Sequence, residues 1–240
     1  MARQEGPVFL EGTMGGINFY FSAGMPLARS AGGGFTRKAI KESPRMEAVR
    51  QSNREFAACS LVNKAFKQAL QPFLLPNKDG TLHRRLMQLF LRIKDKDPAA
   101  EKGSRTVAGG LTTAEGRQLL REFNFLPVSS PVAYQCTFNH EMRCFSVERT
   151  SLQVRDADVH AEVLAGLVRF DFETCVWNRI LAEPARIAEI KAGFLTPALA
   201  RIPTREGTLL AVVQITSMRS TGDICAAHPI FLGIAEIQHD

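Results

Sequence analysis

The chain has 240 residues, 45% of them apolar and 22% charged, and carries a formal net charge of +6 at pH 7. That length supports one large domain or two modest ones with ordinary cores, and that composition excludes wholesale disorder. No apolar run approaches the roughly 20 residues that cross a bilayer, and the start Met1-Ala2-Arg3-Gln4-Glu5-Gly6-Pro7 lacks the apolar centre of a secretion signal. A cytoplasmic protein with no membrane partner is therefore expected.

Between the glycine clusters Gly12-Thr13-Met14-Gly15-Gly16 and Gly32-Gly33-Gly34, the residues Ile17, Phe19 and Phe21 alternate with polar neighbours, and Ser22-Ala23-Gly24 supplies turn chemistry. The pattern predicts a β-hairpin over 17–29. Two strands are marginal in water, so its apolar face is expected to pair with the C-terminal sheet or with another subunit. Glycines on both sides would let it pivot.

Ser43-Pro44 reads as a helix start, with Ser43 as the cap. The series Met46, Val49, Phe56, Cys59, Val62, Phe66, Ala69, Leu70 and Phe73 follows at near-helical spacing, with a break at Asn53, and ends at Pro72 and Pro76. After the turn Asn77-Lys78-Asp79-Gly80, Leu82, Leu86, Leu89, Phe90 and Ile93 mark a second helix. Thr112 and Glu115, spaced as a capping box, open a third that carries Leu119, Leu120 and Phe123.

Residues 124–131 read as the connection to a different kind of sequence. Runs rich in branched and aromatic residues follow over 132–138, 143–147, 163–172, 175–181, 208–216 and 230–237, with a helical turn over 187–192. Strands without intervening amphipathic helices predict an antiparallel sheet protein. The expected fold is α+β: an N-terminal β-hairpin and helices over residues 1–126, followed by an antiparallel β-sandwich-like domain over 127–240. The first part has 20 Lys and Arg against 11 Asp and Glu, hence +9; the second has 10 against 13, hence −3. Opposite signs favour attraction between the parts or between copies.

Cys136, His140 and Cys144 are spaced C-x3-H-x3-C, but closed zinc sites need a fourth ligand, and the spacing equally suits a hairpin with His140 in its turn. The glycine clusters do not form a G-x4-G-K-[ST] phosphate loop, and no nucleophile elbow is present. His83 and His160 read as surface groups, while Asp171 and Glu173 read as solvated or edge charges. The five cysteines, Cys59, Cys136, Cys144, Cys175 and Cys225, are odd in number and read as reduced, buried thiols. No catalytic residue, metal, cofactor or small-molecule substrate is expected. Arg37, Lys38, Lys41, Arg45, Arg50 and Arg54 form a basic approach to the first helix, and are candidate contacts for a polyanion such as nucleic acid.

The order of these features resembles an uncharacterised group of proteins frequent in Bacteroidota genomes. The resemblance rests on Gly12-Thr13-Met14-Gly15-Gly16-Ile17-Asn18-Phe19-Tyr20, on Ser43-Pro44 through Arg54-Glu55-Phe56, and on Leu119-Leu120-Arg121-Glu122-Phe123-Asn124-Phe125. It implies shared architecture, strongest in the N-terminal half, and carries over no activity, cofactor or catalytic residue. Met25-Pro26 in the second hairpin strand departs from it, because proline cannot donate to a ladder. The expectation from all of this is a self-assembling structural protein. It would be a subunit of a homo-oligomeric filament, tube or phage-like particle, held in the cytoplasm or released by lysis. Ile17, Phe19, Tyr20 and Phe21 would form its assembly interface. A nucleic-acid-associated binding protein using the basic half is the alternative.

Overall fold

The structure, a computed structural model, describes residues 2–32, 36–74, 79–126, 134–149, 159–187, 194–204, 206–221 and 224–238. Gly33, Gly34, Pro76, Asn77, Lys78, His239, the connection over 127–133 and the expected helical turn after Ile187 lie outside these residues. The chain divides into two compact units, Met1–Asn53 and Arg54–Asp240. That division falls well before the boundary expected between residues 126 and 127. Counted by these units, the charge asymmetry disappears: seven Lys and Arg against four Asp and Glu give +3, and 23 against 20 give +3.

The first unit is a four-stranded antiparallel sheet and a short helical segment. Its strands are β1 (Ala2–Arg3), β2 (Gly12–Met14), β3 (Ile17–Ser22) and β4 (Met25–Ser30), in the spatial order β1-β4-β3-β2. The expected hairpin is β3-β4, but the glycines before it do not act as a hinge. Gly15 and Gly16, with φ of 59° and 77°, form a second two-residue turn that pairs β2 with β3. Helix α1 (Arg37–Glu42) is capped by the Thr36 hydroxyl, which accepts from Ala39 N at 3.1 Å. Pro44 opens a single 3-10 turn, Pro44–Met46, and Ser43 makes no side-chain cap there.

Helix α2 (Glu47–Ala69) runs through Asn53 without a break, because Asn is tolerated in a long helix whose far half is held by packing. Its second half belongs to the second unit, with α3 (Gln71–Leu74), α4 (Leu82–Lys94), α5 (Val107–Leu111) and α6 (Ala114–Arg121). Thr113, one residue after the expected position, caps α6 by accepting from Gly116 N at 3.0 Å. The helices approach one another through glycine: a Cβ on Gly110 would stand 2.0 Å from Ile93 O, and one on Gly116 would stand 2.0 Å from Gly110 O.

The sheets of the second unit are antiparallel throughout. β5 (Tyr134–Asn139), β6 (Cys144–Arg149) and β10 (Phe194–Leu195) form one, in the order β10-β6-β5. β7 (Val159–Phe170), β8 (Trp177–Leu181), β9 (Ala185–Ile187), β11 (Thr208–Thr221) and β12 (Ile224–Gln238) form the other, ordered β12-β11-β7-β8, with β9 also on β7. Period-two alternation sorts this larger sheet into two faces. Val168, Phe170, Leu210 and Val212 join the helices in a core that includes Phe66, Phe73 and Phe90. Val163, Ala165, Leu167, Leu209, Ala211 and Val213 face Cys136, Phe138, Phe145 and Val147 of the smaller sheet. The helix side is an aromatic cluster, with Phe66 5.4 Å from Phe90 and 5.5 Å from Phe170 between ring centroids. The fold is α+β as expected, and the helices of Arg54–Arg121 share their core with the sheet instead of forming a domain of their own.

Candidate interaction surface

The first unit has an apolar sheet and almost no interior. Among its described residues only Pro26 is buried. Of the twelve large hydrophobic side chains exposed among the described residues of the whole chain, seven lie between residues 8 and 25: Val8, Phe9, Leu10, Met14, Ile17, Phe21 and Met25. This concentration singles out the N-terminal sheet as the candidate surface.

Register decides which residues act together. Phe21 pairs with Pro26, Phe19 with Ala28 and Ile17 with Ser30 across β3-β4, while Gly12 and Met14 oppose Phe19 and Ile17 across β2-β3. Ile17, Phe19 and Phe21 therefore share one face with Met14 and Ala28. Tyr20 points the other way, with Leu27 as its partner and the Arg29 guanidinium 5.3 Å from its ring. The four expected interface residues thus divide three to one. Phe9 joins the first face, 6.4 Å from the Phe21 ring and nearly perpendicular to it. The connection over residues 4–11 is fastened by Gln4, whose amide donates to Leu10 O and Leu27 O and accepts from Leu10 N at 2.9 Å. The apolar run Val8-Phe9-Leu10 was the signal for this part of the surface, and hairpin periodicity alone does not reach it.

Strand addition, the sharper form of the expected pairing, finds little edge to use. Both outer strands of the hairpin are already paired within the chain, and the free edges are β1 and β2, of two and three residues. β4 is internal despite Pro26. Pro26 accepts from Gln4 N at 3.0 Å on the β1 side, so the missing donor costs one ladder bond only. In the larger sheet β12 is an edge, and it carries Pro229 and two register shifts, features that discourage pairing between chains.

The six basic candidates differ in exposure and in what they bind. Arg37, Lys38 and Lys41 are exposed on α1, and Arg45 is exposed in the 3-10 turn. Arg50 is committed: its guanidinium donates to Ile40 O at 2.7 Å and Ser43 O at 2.9 Å at the end of α1, and pairs with Glu47 at 2.6 Å. Arg54 belongs to the second unit.

Several polar groups of the second unit hold neighbouring elements together. The Glu55 carboxylate accepts from Lys94 Nζ and from Gly103 N, each at 2.6 Å. Burial by itself pushes this carboxyl up, and the Lys94 and Gly103 bonds outweigh it, holding Glu55 below the usual carboxylate range. Asp171 caps the β7-β8 turn by accepting from Glu173 N at 2.8 Å and Thr174 N at 3.2 Å. Cys136 and Cys144 sit on a hairpin whose register opposes them to Val147 and Asn139, which places the thiols on opposite faces with His140 in the turn. Burial pushes the Cys136 thiol up to about 12 and the Cys59 thiol up to about 11, so neither is a thiolate at neutral pH. Among the described residues no cluster of three metal-binding side chains occurs, and no helix is long and apolar enough to cross a membrane. Two adjoining shallow hollows of about 530 and 690 Å³ lie between α4 and α6 and share Arg92, Leu119 and Glu122. The Lys96–Glu115 pair, at 2.5 Å, spans the first of them.

No family model, no curated protein and no solved structure matches this chain.

Proposed function

We propose that this protein is a self-assembling structural subunit of a homo-oligomeric filament, tube or phage-like particle, formed in the cytoplasm or freed by lysis. The observation that carries the reading is the N-terminal sheet: seven exposed large hydrophobics in a unit whose described residues bury only Pro26. A contiguous exposed apolar face is often a binding surface, and a partner that covers it adds hydrophobic stabilisation to the unit. The resemblance to the Bacteroidota group, strongest in the N-terminal half, includes the same segment among its matching pieces. Electron microscopy with mass measurement on the purified chain tests this. Extended or closed multimers are expected, and monodisperse monomers across concentration and salt would overturn it.

The second reading, a nucleic-acid-associated protein, is favoured by one observation: Arg37, Lys38, Lys41 and Arg45 are all exposed within nine residues. Binding of DNA or RNA by a monomer, weakening steeply as salt rises, would support it.

A further inference from the structure

We infer that two copies of the protein meet sheet face on sheet face through the N-terminal unit, in a two-fold pair centred on the row Ile17, Phe19 and Phe21. This rests on the assembly reading above and names the partner and its mode of contact.

Two observations select a second copy in this orientation, and a third sets how firmly it is held. The first is charge. On the face that holds Ile17, Phe19 and Phe21, the register places Ala2, Gly12, Met14, Pro26, Ala28 and Ser30, and not one strand contributes a charged side chain. The opposite face carries Arg3 and Arg29 in the same strands. Two copies of this face bring no like charges into contact with each other although each unit is +3, whereas a polyanion finds no strand cation there.

The second observation is relief. The large side chains of β3 stand beside the low row Ala28 and Ser30 of β4. A two-fold axis between the strands lays the β3 row of each copy over the low row of the other, as facing sheets interdigitate when packed about 10 Å apart. The edges offer no comparable surface, since β1 and β2 have two and three residues.

The third is area. Phe9, Met14, Ile17 and Phe21 are 48, 62, 42 and 46% exposed. With roughly 200 Å² for a whole large side chain they present about 400 Å² per copy, so a pair buries about 800 Å², against about 1,200–2,000 Å² in a stable interface. One such joint is reversible and concentration-dependent. A two-fold joint also closes on itself, so a filament or shell needs a second contact as well.

Reporters with one added cysteine in the 240-residue chain test the orientation. Ala28→Cys puts a thiol on the proposed face and Asn18→Cys puts one on the opposite face. Each is treated with a bifunctional maleimide about 10 Å long, matched to the spacing of packed sheets, with the unaltered protein as the background for its own thiols. The expected result is covalent dimer from Ala28→Cys at least fivefold above Asn18→Cys and above background. If mass measurement finds multimers while Asn18→Cys dimerises as well or neither variant does, face pairing is wrong and the assembly reading stands. If mass measurement finds only monomers, both fall.

Discussion

The Lys94 ammonium lies 2.6 Å from the Glu55 carboxylate although 39 positions separate the two residues, and this pair ties the end of α4 to the middle of α2. Asp95 at 2.5 Å and Gly103 N at 2.6 Å complete the bonding around it. Glu55→Gln leaves the Lys94 ammonium with Asp95 as its remaining carboxylate partner, so it should lower stability to urea by about 1–3 kcal/mol, and the double change Glu55→Met with Lys94→Met should recover most of it. The sign of the pH dependence follows from the two shifts. Glu55 is held below the usual carboxylate value, so its contribution is complete above about pH 5 and fades as pH falls through that range toward the depressed value. For Lys94, burial pushes the ammonium down and its bonds to Asp95 and Glu55 more than reverse this, so its contribution is complete below about pH 10 and fades above. Asp79 and Asp97, both held low by hydrogen bonds that outweigh burial, steepen the acid limb. Urea midpoints should form a plateau between these limits, with the acid limb shallower in Glu55→Gln.

Ala23 occupies a left-handed position, φ 50°, next to Gly24 at φ 78°, in the β3-β4 turn. A Cβ there costs about 1 kcal/mol, and Asn-Gly is the preferred pair for such a turn. Ala23→Asn should slow hydrogen exchange of the β3 and β4 amides about fivefold and leave those of the second unit unchanged.

Arg50 and its basic neighbours should separate cleanly. Arg50→Met removes the bonds to Ile40 O and Ser43 O, and should destabilise the α1 segment by about 1 kcal/mol, visible as faster exchange of its amides. Arg37→Gln, Lys38→Gln and Lys41→Gln alter exposed side chains and should change stability by less than about 0.5 kcal/mol. Those three substitutions are the ones that should weaken any polyanion affinity.

Gly116→Ala would bring a methyl to 2.0 Å from Gly110 O, which is backbone and cannot turn aside. A loss of about 3 kcal/mol or more is expected in thermal or urea unfolding. Gly80→Ala, in open space, should be nearly neutral by the same measurement.

The legible parts of the sequence were those governed by near neighbours. The α4 spacing Leu82, Leu86, Leu89, Phe90 and Ile93 appears on the buried side of the helix as predicted, and the β7 alternation of Val168 and Phe170 against Arg169 does too. α2 was harder. Phe56, read as core, is 52% exposed, while Glu55 and Asn63 are buried. Their partners, Lys94, Gly103 and the carbonyl of His83, are 39, 48 and 20 positions away, and no local pattern announces them. The division into units was obscured for the same reason. The change of composition near residue 126 is real, but the helices before it and the strands after it bury each other's apolar faces. In the candidate surface, alternation identified Ile17, Phe19 and Phe21, whereas assigning Tyr20 to the other face needed the register.

The equal charge of the two units has a kinetic consequence. In the proposed pairing, two copies, each with +3 on the N-terminal unit, would repel while they approach and attract only when the uncharged faces touch. Added salt shortens the range of the repulsion to about 10 Å at 0.1 M and to about 3 Å at 1 M, and leaves the apolar contact in place. Joining of copies should therefore quicken with ionic strength, while binding of a polyanion to Arg37, Lys38 and Lys41 should weaken. One titration with salt thus drives the two readings of this protein in opposite directions.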